Sequence, residues 1–233
     1  KGSEVMKAFL LAAAGAGILL AAAPASAQPD LSKVEVKVEK IAPGVAVLFG
    51  AGGNIGLSYG ADGNIIVDDQ YAPMSDRILA AIATVDPDPV RFVVNTHWHG
   101  DHTGGNEAMG SRGAVIVAHN NVRTRMSSEQ FIAALDSRVP ASLAAALPVV
   151  TFEDGVALHL NGDTLHVVHV AKAHTDGDSL VHWQKGNPKG LHLNWAKARS
   201  KLIELPPTLM GLDLQALIVA MDRFEQALHD LKV

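Results

Sequence analysis

The sequence contains no cysteine and no excess of basic residues. Without cysteine, the chain can form neither a disulfide nor a thiolate–metal bond, so its stability depends on its hydrophobic core and on any metal that it binds. The formal net charge is −5 at pH 7, and a chain with this charge has no general affinity for polyanions. We therefore expect no nucleic-acid partner.

A hydrophobic run of membrane-spanning length is also lacking near the start of the chain. The uncharged apolar run at residues 8–23 is shorter than the roughly 20 residues of a membrane-spanning helix. It follows Lys7 and leads into Ala25-Ser26-Ala27, a pattern typical of a cleaved secretory signal, although a membrane anchor is the alternative interpretation. We interpret residues 1–27 as an N-terminal remnant and signal peptide. Residues 28–233 are then a periplasmic or secreted domain without a membrane partner, which we expect to be a monomer.

One compact domain is expected from 233 residues, of which 48% are hydrophobic and 18% charged. Short apolar segments separated by glycine-rich turns predict strands, and apolar residues at a helical spacing predict helices. The predicted strands are residues 34–38, 45–49, 55–59, 65–68, 90–94, 114–118, 149–152, 156–160 and 165–170, and the predicted helices are residues 73–85 and 122–134. Interleaved strands and helices indicate a mixed α/β sandwich with sheets inside and helices outside.

The most informative segment follows the predicted strand 90–94. It contains His97, His99, Asp101 and His102, and Gly100 lets the chain turn sharply between them. Loops at strand ends often carry functional residues, and imidazole and carboxylate ligands at this density suit zinc best, with other divalent transition metals as the alternative. A single histidine here would be an ordinary solvated loop residue. Four potential ligands within residues 97–102 predict a metal site.

The pattern His-x-His-x-Asp-His after a strand resembles the signature of the metallo-β-lactamase superfamily. A second similarity to that family is Ala173-His174-Thr175-Asp176-Gly177-Asp178-Ser179, and the resemblance extends over about residues 34–185. It implies a four-layer αββα sandwich with metals at one edge of the two sheets.

The resemblance also implies roles for individual residues. His97, His99 and His174 would hold a first zinc, and Asp101 and His102 would help to hold a second. Asp68 lies where the family usually has a carboxylate that orients the ligands, although turns favour aspartate in any case.

The implied reaction is hydrolysis of a small molecule. A zinc held by three neutral histidines lowers the pKa of its water to near 7 and supplies hydroxide at neutral pH, and Asp101 would orient this nucleophile and accept its proton. A cyclic amide, first of all a β-lactam, is the leading substrate, because the chain resembles exported β-lactamase-like members. Lactones, thioesters and other esters are the alternatives, and a non-catalytic or crippled zinc-binding protein is a further one.

The resemblance is interrupted after Gly186. The segment His192-Leu193-Asn194-Trp195 occupies the position where the family has a histidine and a glycine–aspartate pair, and a final histidine is missing before Val233. We therefore expect one zinc, with two possible if another ligand completes the second site; His192 and His229 are the weak substitutes. A disturbed reading frame between about 186 and 210 would explain the foreign stretch, and resequencing that finds an intact frame with no better family match would contradict it.

Overall fold

The computed structural model describes residues 30–132, 136–171 and 173–185. The proposed signal and the segment that contains His192 and His229 lie outside the described residues. The described strands are β1 Lys37–Ala42, β2 Val45–Phe49, β3 Ile55–Ser58, β4 Asn64–Val67, β5 Val90–Val94, β6 Val115–His119, β7 Gln130–Ile132, β8 Ser137–Val139, β9 Val150–Phe152, β10 Gly155–Leu160, β11 Asp163–His169 and β12 Ser179–Trp183.

The α-helices of the described chain are α1 Ser75–Ala83, α2 Gly100–Thr103, α3 Asn106–Ser111 and α4 Asn120–Met126. Short 3-10 turns are formed by Leu31–Lys33, Ala72–Met74 and Ala144–Ala146. In the part of the chain that the structure describes, no helix meets the length and hydropathy that a bilayer-spanning helix requires.

Two sheets form the framework. The first has seven strands in the order β1-β2-β3-β4-β5-β6-β9, and the second has three strands in the order β10-β11-β12. Strands β1 to β4 pair antiparallel, whereas β4, β5, β6 and β9 pair parallel. A separate hairpin is formed by β7 and β8. The parallel pairing aligns Val67 with Val94 and therefore brings the carboxyl ends of β4 and β5 to one edge.

Two apolar cores cover the opposite faces of the first sheet. Between the sheets, Val67, Val94 and Val117 pack with Leu165 and Val167 of the second sheet. On the other face, side chains of the helices and of the turn before α1 pack against the strands; the buried ones are Met74, Ile78, Ala81, Ile82 and Met109. This layering of helices on one sheet and that sheet on another matches the αββα sandwich predicted from the sequence.

Two predicted elements differ from the structure by more than two residues at an element boundary. The valines of the predicted strand 34–38 pack against the core, but Val34 lies before β1 and its carbonyl accepts a hydrogen bond from Arg77 Nη1 at 2.6 Å. The predicted helix 122–134 ends at Met126. The hydroxyl of Ser127 bonds back to the carbonyl of Arg123 at 2.7 Å, and the chain then enters β7 instead of continuing the helix.

Candidate metal centre

The edge formed by the ends of β4 and β5 is the base of the candidate site. The Asp68 N–H donates to the carbonyl of Val94 at 2.9 Å, which joins the two strand ends. The second sheet reaches the same edge, because the Ser179 N–H at the start of β12 donates to the carbonyl of Thr96 at 2.8 Å. Loops from both sheets therefore meet here, as the sequence predicts for the metal site.

Three histidines converge on one point at this edge. His97 and His99 lie on the loop between β5 and α2, and His174 lies on the loop between β11 and β12. One ring nitrogen from each can be chosen so that all three lie within 4.8 Å of one another, and His174 Nε2 is 3.0 Å from His99 Nδ1. Among the described residues, these three histidines form a group whose geometry suits a metal ion.

The protonation state of the cluster favours binding of a metal cation. Burial lowers the pKa of His97 to about 3, and the neighbouring histidines add to the shift. Burial, followed by the charge of His174, also lowers the pKa of His99. Both imidazoles are therefore neutral at pH 7, and a neutral imidazole is the form that binds metal. Three nitrogen donors without a thiolate suit zinc, although the same donor set accepts other divalent transition metals.

Asp68 links the candidate ligands His97 and His102 through hydrogen bonds, the first by way of Thr96. Its side chain is buried, and its carboxylate accepts bonds from Thr96 N at 2.8 Å, Thr96 Oγ1 at 2.8 Å and His102 Nδ1 at 2.7 Å. Since the Thr96 hydroxyl donates to Asp68, its oxygen is left to accept from His97 Nδ1, 3.1 Å away. For His97, this arrangement places the ring proton on Nδ1 and leaves the Nε2 lone pair available to bind a metal.

Asp101 and His102 lie beside the three-histidine cluster. His102 Nε2 is 3.3 Å from Asp101 Oδ2, and the ring centroids of His102 and His97 are 4.1 Å apart. Burial opposes protonation of His102, but the hydrogen bond and charge of Asp68, together with Asp101, raise its pKa overall. The structure thus brings Asp68, Asp101 and His102 together as one polar group next to the cluster.

The loop that carries His174 is held by an aspartate whose role the sequence analysis did not assign. Asp178 accepts hydrogen bonds from the backbone N–H groups of His174 and Thr175, the second at 2.9 Å, and from Thr175 Oγ1 at 2.5 Å. Its neighbour Asp176 pairs with Arg125 of α4 at 2.8 Å. A threonine three residues before an aspartate is a common turn pattern. The spacing of Thr175 and Asp178 could therefore have indicated this role from the sequence.

Asp178→Ala is expected to weaken zinc binding by about 10-fold to 100-fold, the usual effect of losing a group that supports a metal ligand. The loop would lose the carboxylate that fixes the backbone at His174. Competition with a chromophoric chelator measures the change. Asp163→Ala is the matched control, because Asp163 accepts two backbone hydrogen bonds, from Thr164 and Lys185, in a turn outside the site. Equal zinc affinities in the two variants would contradict the role of Asp178.

The remaining described histidines do not join the cluster. His119 Nδ1 accepts the Asn121 N–H at the start of α4, and its ring stacks on His169 with centroids 3.7 Å apart. The His159 ring is hydrogen-bonded to Thr164 Oγ1. The rings of His166 and His182 lie on neighbouring strands with their centroids 6.3 Å apart. His159, His166 and His169 belong to strands β10 and β11 and are not members of the three-histidine cluster.

Comparison with known proteins identifies the family and supports the fold. The sequence profile of the metallo-beta-lactamase superfamily matches residues 48–187, whereas curated proteins give no significant match. Among solved structures, a Cronobacter sakazakii metallo-beta-lactamase with an HARLDQ motif is similar at a TM-score of 0.57 and 18% identity, covering 84% of this chain and 94% of that one.

Two further structures have the same architecture. The subclass B3 metallo-beta-lactamase BJP-1 of Bradyrhizobium japonicum gives a TM-score of 0.56 at 14% identity, covering 87% of this chain and 96% of that one. The metallo-beta-lactamase MIM-1 from Novosphingobium pentaromativorans gives 0.54 at 17% identity, covering 83% and 88%. At these identities the likeness concerns the fold, and the family follows from the sequence profile, which matches more than half of the chain. The chain therefore belongs to the metallo-beta-lactamase superfamily and is a metallo-hydrolase of that fold.

Proposed function

We propose that this chain is a zinc-dependent hydrolase that opens a cyclic amide, and that this amide is a β-lactam. The observation that carries the proposal is the convergence of His97, His99 and His174 within 4.8 Å. Similar folds in proteins described as subclass B3 metallo-beta-lactamases support the choice of a β-lactam. Lactones, thioesters and other esters are the competing substrates, because one scaffold of this kind serves many reactions.

The side chains of the site divide the work between binding and proton transfer. His97, His99 and His174 would hold the first zinc, which when bound acts as a Lewis acid and lowers the pKa of water. Asp101 is the candidate general base, since its side chain is 36% exposed at the site and can accept a proton from the attacking nucleophile. Asp68 orients His102 and Thr96 and through Thr96 sets the tautomer of His97.

A second zinc would use Asp101 and His102. These two supply a carboxylate oxygen and an imidazole nitrogen 3.3 Å apart, which is half of a tetrahedral donor set. The further ligands of such a site are not among the described residues. We therefore propose one tightly held zinc, with a second bound more weakly.

A substrate panel combined with metal analysis tests the proposal. Zinc-loaded protein, protein stripped with a chelator and protein reloaded with zinc would each be offered a cephalosporin reporter, an acyl-lactone and a thioester. We expect turnover of the cephalosporin in the loaded and reloaded samples only. Turnover of another substrate without turnover of the cephalosporin would overturn the choice of a β-lactam. One bound zinc with no hydrolysis at all would point to a non-catalytic zinc-binding protein.

We further propose that residues 1–27 direct the protein to the periplasm, where it would confer β-lactam resistance. Expression of the full chain in a susceptible Gram-negative host is expected to place the shortened product in the periplasmic fraction and to raise the inhibitory concentration of a cephalosporin. The matched control begins at Gln28 and should stay in the cytoplasm. Equal distribution of the two forms would contradict the export proposal, and it would leave the hydrolase proposal untouched.

A further inference from the structure

Three consecutive residues after β4 each hold a different part of the site. Asp68 binds Thr96 and His102, as described above. Asp69 Oδ1 accepts the Gly105 N–H at 2.8 Å and thereby fixes the chain between α2 and α3. Gln70 turns the other way, toward the loop between β2 and β3. Asp68 and Gln70 have φ angles of 63° and 58°, a conformation that costs energy in residues other than glycine and persists only where the surroundings enforce it.

The side-chain amide of Gln70 spans the glycine-rich loop Gly50–Gly53. Its Oε1 accepts the Ala51 N–H at 3.2 Å, and its Nε2 donates to the carbonyl of Gly53 at 2.6 Å. Gln70 is fully buried, and a buried amide of this kind is costly unless its polar atoms are paired. Its two bonds hold the loop at both ends, so Gln70 acts as a clamp on it.

The clamped loop lies directly against Asp101 and His102. The Gly53 N–H donates to the carbonyl of Asp101 at 3.3 Å. A Cβ atom placed on Gly52 would lie 2.9 Å from the Cβ of Asp101, and one placed on Gly53 would overlap the His102 ring. A side chain at either position would therefore displace the loop or the candidate ligand, and only glycine allows this approach.

We propose that Gln70 is a positioning residue, which fixes the loop Gly50–Gly53 as a wall against Asp101 and His102. The wall lies against the His102 ring, where a Cβ placed on Gly53 would be closest to Cε1 and Nδ1, and Asp68 binds the same ring at Nδ1. It therefore governs the weaker, second half of the metal centre and leaves the three-histidine half unchanged. The statement about metal rests on the proposed function, whereas the statement about the loop does not.

Hydrogen exchange in the metal-free protein tests the clamp. The informative proton is the Gly53 N–H, because it donates to Asp101 and loses no acceptor when Gln70 is changed. In Gln70→Leu we expect its exchange to become at least about tenfold faster. The control is Asn64→Leu, which removes another fully buried amide at the opposite end of β4, where Asn64 Nδ2 donates to the carbonyl of Asp88. Gln70→Met replaces Gln70→Leu if the latter does not fold.

Zinc titration supplies the second readout. Gln70→Leu should weaken the second equivalent of zinc by about 10-fold or more and leave the first unchanged, and Asn64→Leu should alter neither. Unchanged Gly53 exchange in Gln70→Leu, or equally fast exchange in Asn64→Leu, would overturn the proposal. If the unchanged protein takes up no zinc, the proposed function fails, and exchange in the metal-free protein still decides the role of Gln70.

Discussion

His97→Ala is expected to lose the tightly bound zinc and to reduce hydrolysis about 1,000-fold or more. A bound metal supplies several kcal/mol of transition-state stabilisation, and each 1.4 kcal/mol corresponds to a factor of ten in rate. His97 is the most enclosed member of the cluster, and its neutral form is enforced by burial, which lowers its pKa to about 3. Elemental analysis after gel filtration measures the zinc, and initial rates measure the loss of activity.

The matched control for this variant is His159→Ala. His159 is an exposed histidine of β10, and its ring bonds to Thr164 Oγ1 rather than to the cluster. It should retain zinc and activity at the level of the unchanged protein. Retention of a full equivalent of zinc by His97→Ala, at unchanged affinity, would show that the metal lies elsewhere.

Asp101→Asn is expected to lower kcat by about 100-fold to 10,000-fold, the usual contribution of a general base. The amide has the same shape as the carboxylate but cannot accept the proton. The fold and the first zinc should be preserved, because Asp101 is not one of the three converging histidines. Steady-state kinetics with the zinc content measured on the same sample separates a loss of proton transfer from a loss of metal.

Glu107→Gln provides the comparison for Asp101→Asn. Glu107 is an exposed acid in the first turn of α3, so its change removes the same charge from a neighbouring helix. We expect its kcat to be unchanged. A fall in kcat of the same size in both variants would attribute the effect to general electrostatics and would remove Asp101 from its proposed role.

The fold was predictable wherever hydrophobic patterns are local. The runs 45–49 and 90–94 coincide with β2 and β5 because their alternating or continuous apolar residues face the two cores. The end of α4 was not predictable from periodicity. Phe131 and Ile132 extend the apolar spacing beyond Met126, but they belong to a hairpin in which Phe131 is 56% exposed. Pairing with Ser137–Val139 decides that conformation, and the residues of a helical pattern do not encode it.

Like the fold, the site was predictable from the sequence only where its residues are close along the chain. His97, His99, Asp101 and His102 are close in sequence, so their density alone predicts a metal site. His174 is far from them along the chain, and its place beside His99 was expected only from the family resemblance. The supporting role of Gln70 had no such signal, because it depends on hydrogen bonds to backbone groups that only the folded chain brings near, whereas the role of Asp178 had the weaker signal of its spacing from Thr175.

X-ray absorption spectroscopy at the zinc edge of the zinc-loaded protein tests the central claim most directly. If His97, His99 and His174 hold the ion, the spectrum should show imidazole nitrogens at about 2.0–2.1 Å, the usual Zn–N distance, with three imidazoles in the fit to a protein loaded with one equivalent. The His97→Ala variant should lose this signature. A spectrum that lacks the outer-shell scattering of imidazole rings, or one that is unchanged by His97→Ala, would contradict the account.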